Sequence, residues 1–118
     1  MKLKISGIGD RGILTEERIG FEVIKDCELK YYQIFRTGFN EGGFYNRAKS
    51  AFWFAPKNVK AGDKVIVYTR IGTNSFKVNP DGTTIYWFYW GLNEPIFTDT
   101  KQAVVLVEIN DWELSKNV

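Results

Sequence analysis

Apolar and polar residues alternate along most of this chain with the two-residue period of half-buried strands. Leu3 and Ile5 oppose Lys2 and Lys4, which predicts a strand over residues 2–8. Ile19, Phe21 and Val23 alternate with Gly20 and Glu22 over residues 18–25. Over residues 31–37 the two faces are Tyr32/Ile34/Arg36 and Tyr31/Gln33/Phe35, rich in aromatic and β-branched types. Residues 64–70 set Val65/Val67/Thr69 against Ile66/Tyr68/Arg70, and residues 103–109 form a last long apolar strand. Shorter strands are expected over residues 51–55, ended by Pro56, and over residues 76–78. Turn signals separate them: Gly7, Gly9, Asp10 and Gly12; residues 26–30; Ala61-Gly62-Asp63; Asn79-Pro80-Asp81-Gly82; Gly91; and residues 98–101. Residues 38–50 have no period and three glycines, so a long loop is expected there, with one helical turn near 47–51.

The densest stretch is residues 84–90, with five aromatic residues in a row from Tyr86 to Trp90. It reads as a central strand, because rings suit a pleated surface and bury large areas. Alternation puts Ile85, Trp87 and Tyr89 on one face and Tyr86, Phe88 and Trp90 on the other. With Ile85 as its companion, Trp87 is expected to point into the core. Tyr86, Phe88 and Trp90 would then form an outward stripe, either covered by the 38–50 loop or open to a partner. The fold class that follows is all-β, a single domain over residues 1–118. It is an immunoglobulin-like antiparallel β-sandwich of about seven to nine strands with little or no helix.

Charge and composition narrow the function. Lys plus Arg number 16 and Asp plus Glu 14, a net charge of +2 with no run of one sign, so no obligatory polyanion partner is implied. There is no histidine, which removes imidazole acid–base chemistry, Ser-His-Asp and Cys-His catalysis and His-bearing zinc sites. The lone Cys27 can form no intramolecular disulfide, and its setting between Asp26 and Glu28 favours an inert thiol. Gly7, Gly9 and Gly12 spell G-x-G-x-x-G, but strand-like sequence follows where a dinucleotide site needs a helix. Glu94 and Asp99 lie near the aromatic strand and are the candidate pair for a carboxylate-dependent hydrolase. No stretch has the length of a membrane helix and the first ten residues lack a signal-type apolar run, so a cytoplasmic, non-membrane protein is expected. No metal or cofactor is expected.

Residues 54–70, F-A-P-K followed by V-K-A-G-D-K-V-I-V-Y, resemble the lamin-tail domain, in which a Phe-Pro pair leads through a K-A-G turn into a β-branched strand. The stretch W-F-Y-W-G-L and the later Pro95-Ile96-Phe97 are similar to the aromatic strand and corner of bacterial lamin-tail-like domains, and Glu17–Val23 to their early strand. Phe97 stands where that family often has Trp. The resemblance covers about two-thirds of the chain in patches. It implies an immunoglobulin-like sandwich without enzyme activity, a module that contacts other macromolecules, and it carries no binding residue over.

The expected function is therefore contact rather than catalysis. A protein partner or a second copy would be bound through the aromatic strand or a sheet edge. The alternative ligands are a carbohydrate or a single-stranded nucleic acid. The residues expected to meet the partner are Tyr86, Phe88 and Trp90, with Arg36 and Arg47 supplying charge beside Phe39, Phe44 and Tyr45.

Overall fold

The computed structural model describes residues 1–40, 43–44 and 49–116. Each alternating stretch forms a strand, and eight strands have four or more residues. They are β1 (Leu3–Gly9), β2 (Arg18–Val23), β4 (Tyr32–Asn40), β6 (Lys49–Trp53), β8 (Lys64–Arg70), β9 (Ser75–Val78), β10 (Thr84–Leu92) and β11 (Gln102–Glu108). Three two-residue strands complete the set among the described residues: β3 (Cys27–Glu28), β5 (Gly43–Phe44) and β7 (Asn58–Val59). The one helical element among the described residues is a 3₁₀ turn, Leu29–Tyr31, whose Leu29 is buried. No helix among the described residues is long and apolar enough to cross a membrane.

The strands pack as two layers. The larger sheet runs β1-β2-β8-β10-β9, the smaller runs β11-β4-β6 with β5 on the far end of β4, and β3 pairs β7. Pairing is antiparallel except between β8 and β10, which run parallel, a departure from the fully antiparallel sandwich expected. A parallel pair needs a crossover. Here the Ile71–Asn74 connection and the edge strand β9 provide it, ending in the Asn-Pro-Asp-Gly turn. In that turn the Asp81 carboxylate accepts from the Thr83 backbone N–H at 3.0 Å.

The core lies between the layers. Leu3, Ile19, Phe21, Val23, Val65, Val67 and Phe88 come from the larger sheet, and Tyr32, Ile34 and Phe54 from the smaller side. In β8 the buried residues are Val65, Val67 and Thr69, one of the two faces read from the sequence. Two buried carboxylates fasten the turns. Asp63 closes the K-A-G-D turn, where Gly62 has φ +93, by accepting from Lys60 N–H at 2.9 Å, and it reaches Thr84 N–H at 2.9 Å to hold the start of β10. Glu17, fully buried, accepts from the backbone N–H groups of Gly12 (2.7 Å), Ile96 (2.9 Å) and Phe97 (3.1 Å). Charge-assisted bonds of this kind are the strong ones.

Two expectations about connections change. Residues 38–40 extend β4, with Phe39 and Asn40 paired to Phe44 and Gly43, and β6 already begins at Lys49, so the described part of the expected loop is strand. Of the expected helical turn, residues 49–51 are strand and 47–48 lie outside the described residues. At Gly91 the chain does not stop. Gly91 takes φ +88, the register with β8 shifts, and β10 continues to Leu92.

Candidate functional site

The aromatic strand faces the opposite way from the expectation. In β10 the inward set is Tyr86, Phe88 and Trp90, not Trp87. Phe88 is 5% exposed and lies in the core, while Tyr86 and Trp90 pack against it half-buried. The register explains the reversal. Tyr86 lies beside Val65 and Phe88 beside Val67, both fully buried, so the inner face of β8 dictates the inner face of β10. Among the described residues, Phe52 of β6 and Phe54 just after it pack on these rings. Phe54 meets Phe88 edge-on at 5.6 Å and Phe52 meets Trp90 at 5.8 Å. Phe52 and Phe21 complete the ring cluster around Phe54, at 5.2 and 5.6 Å.

Arg36 is also turned inward. It sits on β4 beside Val104, half-buried, and its Nη1 donates to Ile96 O at 3.4 Å while its buried Nε has no partner among the described residues. It therefore belongs to the corner that Glu17 organises rather than to a mobile basic loop. Arg47 lies outside the described residues, as does Tyr45.

What β10 presents outward is Ile85, Trp87 and Tyr89, and these join the outward residues of β8 in lateral rows. Ile66 lies beside Trp87 and Tyr68 beside Tyr89. Tyr68 and Tyr89 stack at 5.6 Å with 14° between planes, and the Arg70 guanidinium lies about 5 Å from both rings. Gly72 packs on Tyr89 so closely that a Cβ there would stand 2.3 Å from the ring. On β2, Gly20 lies beside Ile66 with the Ser6 hydroxyl packed over it, and a groove of about 390 Å³ there is lined by Ser6, Arg18, Glu22, Lys64 and Ile66.

The smaller sheet has an apolar outer face. Phe35 lies between Val105 on β11 and Ala51 on β6, and Gln33 between Val107 and Trp53. The chain after β11 folds across one end of this face. Trp112 meets Trp53 edge-on at 5.1 Å and Tyr31 at 6.0 Å, and Trp53 Nε1–H donates to Lys30 O at 2.7 Å. These rings stay substantially exposed, Trp53 at 42% and Trp112 at 47%. Beside the same sheet, between β1 and β11, runs an apolar groove of about 540 Å³ lined by Met1, Leu3, Lys4, Ile5, Ile24 and Leu106.

Among the described residues, acidic and thiol side chains are not gathered into a metal-binding cluster. No group of three or more His, Cys, Asp or Glu among the described residues could hold a metal. Glu94 and Asp99 are both exposed, and Asp99 Oδ1 is a turn acceptor for Lys101 N–H at 2.7 Å. Burial pushes the Cys27 thiol above its ordinary range, away from the thiolate a nucleophile needs. After Gly12 the chain turns into β2, so the glycines of residues 7–12 lack the helix of a dinucleotide fold. The edge beside β1 and the outward rows of the larger sheet were missed in sequence. Lateral neighbours across a parallel pair have no sequence signature, although the charge-free A-V-V-L-V run of β11 is one for an open edge.

No family model, no curated protein and no solved structure matches the chain.

Proposed function

We propose that the chain is a non-catalytic, lamin-tail-like interaction module that associates with a second copy of itself through the open edge of β11. The observation that carries this is the pairing of an uncharged edge with an apolar groove beside it. Between Gln102 and Glu108 β11 has no charge and no proline, the devices that normally protect an edge. Among the described residues its one strand neighbour is β4.

The ladder indicates which groups are offered. Ile109 N–H donates to Tyr31 O and Phe39 N–H to Lys101 O, so odd-numbered residues of this segment bond to β4. By the alternation of an antiparallel ladder, the N–H and C=O of Val104 and Leu106 point to the open side. Gln102 O, on that same side, accepts from Arg11 Nη1 at 3.0 Å, which marks the end of the free edge. A second β11 laid antiparallel about a two-fold axis at Val105 sets Val104 opposite the second copy's Leu106. Each such pair exchanges both its hydrogen bonds.

The side chains agree with that register. Val104 and Leu106 pack against the core on the inner face, so the second copy's equivalents would enter the groove beside Leu3, Ile5 and Ile24. On the outer face Val105 meets its own counterpart and the apolar surface of Phe35 and Val107 becomes continuous. A C2 contact of this kind is the commonest closed association. The K-A-G-D turn held by Asp63 and the Ile96-Phe97 corner held by Glu17 support the lamin-tail-like reading, because those are the segments that carry the resemblance. Light scattering across a concentration series tests the association. A mass that rises toward twice the monomer is expected, and a monomer at concentrations that saturate a micromolar complex overturns it.

A further inference from the structure

We infer that the outer face of the five-stranded sheet binds single-stranded nucleic acid, independently of the β11 edge. The near-neutral total charge hides an uneven distribution. The side chains that β1, β2, β8, β9 and β10 carry outward include Lys4, Arg18, Lys64, Arg70 and Lys77, five cations, against the single carboxylate Glu22. Asp10, from the turn before β2, pairs with Arg18 and leaves the rest in excess.

The cations are arranged in banks. One lateral row is Lys4, Glu22, Lys64, Ile85 and Lys77, and the row on the other side holds Arg18, Tyr68 and Tyr89, with Arg70 next along β8. Between them runs an uncharged row: Gly20, Ile66, Trp87 and Ser75. The groove lined by Gly20 and Ser6 lies at one end, and the small Ser75 sits beside the indole at the other. Neighbouring strands are about 4.8 Å apart, so the strip is roughly 14 Å long, and each bank lies about 7 Å from it. A single strand has this pattern in complement, with bases that stack on a ring and phosphates that lie to the side. A duplex would meet the cations but leave Trp87 without a role, and an acidic peptide would need neither the indole nor the groove.

The test is fluorescence anisotropy with a labelled oligothymidylate of about twelve nucleotides, read together with quenching of tryptophan emission. Binding is expected to weaken with salt at a log–log slope of about −2 to −3, about −0.7 for each of three or four phosphates. Trp87→Ala is expected to weaken binding about tenfold or more, and Ser75→Glu, an exposed change beside the indole, to do the same with the fold intact. Lys64→Gln and Lys77→Gln are each expected to flatten the salt slope by about 0.7. Absence of binding at low salt overturns the inference. So does unchanged affinity in both Trp87→Ala and Ser75→Glu, or equally tight binding of a duplex, heparin or polyglutamate.

Discussion

The carboxylate of Glu17 accepts the backbone N–H of Phe97 at 3.1 Å, eighty residues away in the chain. With Ile96 and Gly12 bound to the same side chain, it joins the turn before β2 to the corner between β10 and β11. Replacing it strands buried donors, and Glu17→Gln also turns an amide N–H toward them. Glu17→Gln is expected to cost about 2–4 kcal/mol by urea denaturation, far above an ordinary surface change. A loss under about 0.5 kcal/mol would show that the corner holds without it.

Phe88 and Trp87 are adjacent in sequence and opposite in setting. Phe88→Ala removes a ring packed on Phe54 and Val67 and is expected to cost about 3–5 kcal/mol. Trp87→Ala acts on an outward, half-buried ring and is expected to cost about 1 kcal/mol. Denaturation midpoints of the two variants measure this directly, and the reverse order would contradict the facing of β10.

Tyr32 gives a pH dependence. Burial, with the hydrogen bond its hydroxyl donates to Glu108 Oε2 at 3.0 Å, pushes the phenol up to about 12. In the unfolded chain it ionises near pH 10, so the folded state holds the proton longer. That contribution to stability is complete below about pH 10 and is lost as pH rises toward 12. The stability difference between the wild type and Tyr32→Phe is expected to be flat at neutral pH and to shrink above pH 10. The ultraviolet titration of Tyr32→Phe is expected to lack a phenol that ionises toward pH 12.

The legibility of this fold varied with how clearly a strand distinguishes its faces. In β8 every second residue is Val or Thr, and the boundaries and the two faces could be read directly, while the packing decides that the Val/Thr face is the inner one. In β10 both faces are apolar, so alternation identifies two sets without ranking them, and the parallel register with β8 decides. Arg36 was legible as part of a strand, but not as a guanidinium turned toward Ile96 O, because that contact spans sixty residues. The same holds for Glu17, which in sequence is one acid among fourteen. Edge strands were legible in composition alone: β11 shows an uncharged run, yet its position at the rim beside β1 comes only from topology.

The most direct test of β11 self-pairing uses two charged variants at Val105, the residue on the two-fold axis. Val105→Lys and Val105→Glu each place like charges opposite one another, while mixing them places opposite charges together. Sedimentation velocity is expected to show each variant monomeric alone and the equimolar mixture dimeric. Wild type and both variants sedimenting alike, or a mixture no heavier than its components, would contradict edge pairing at Val105.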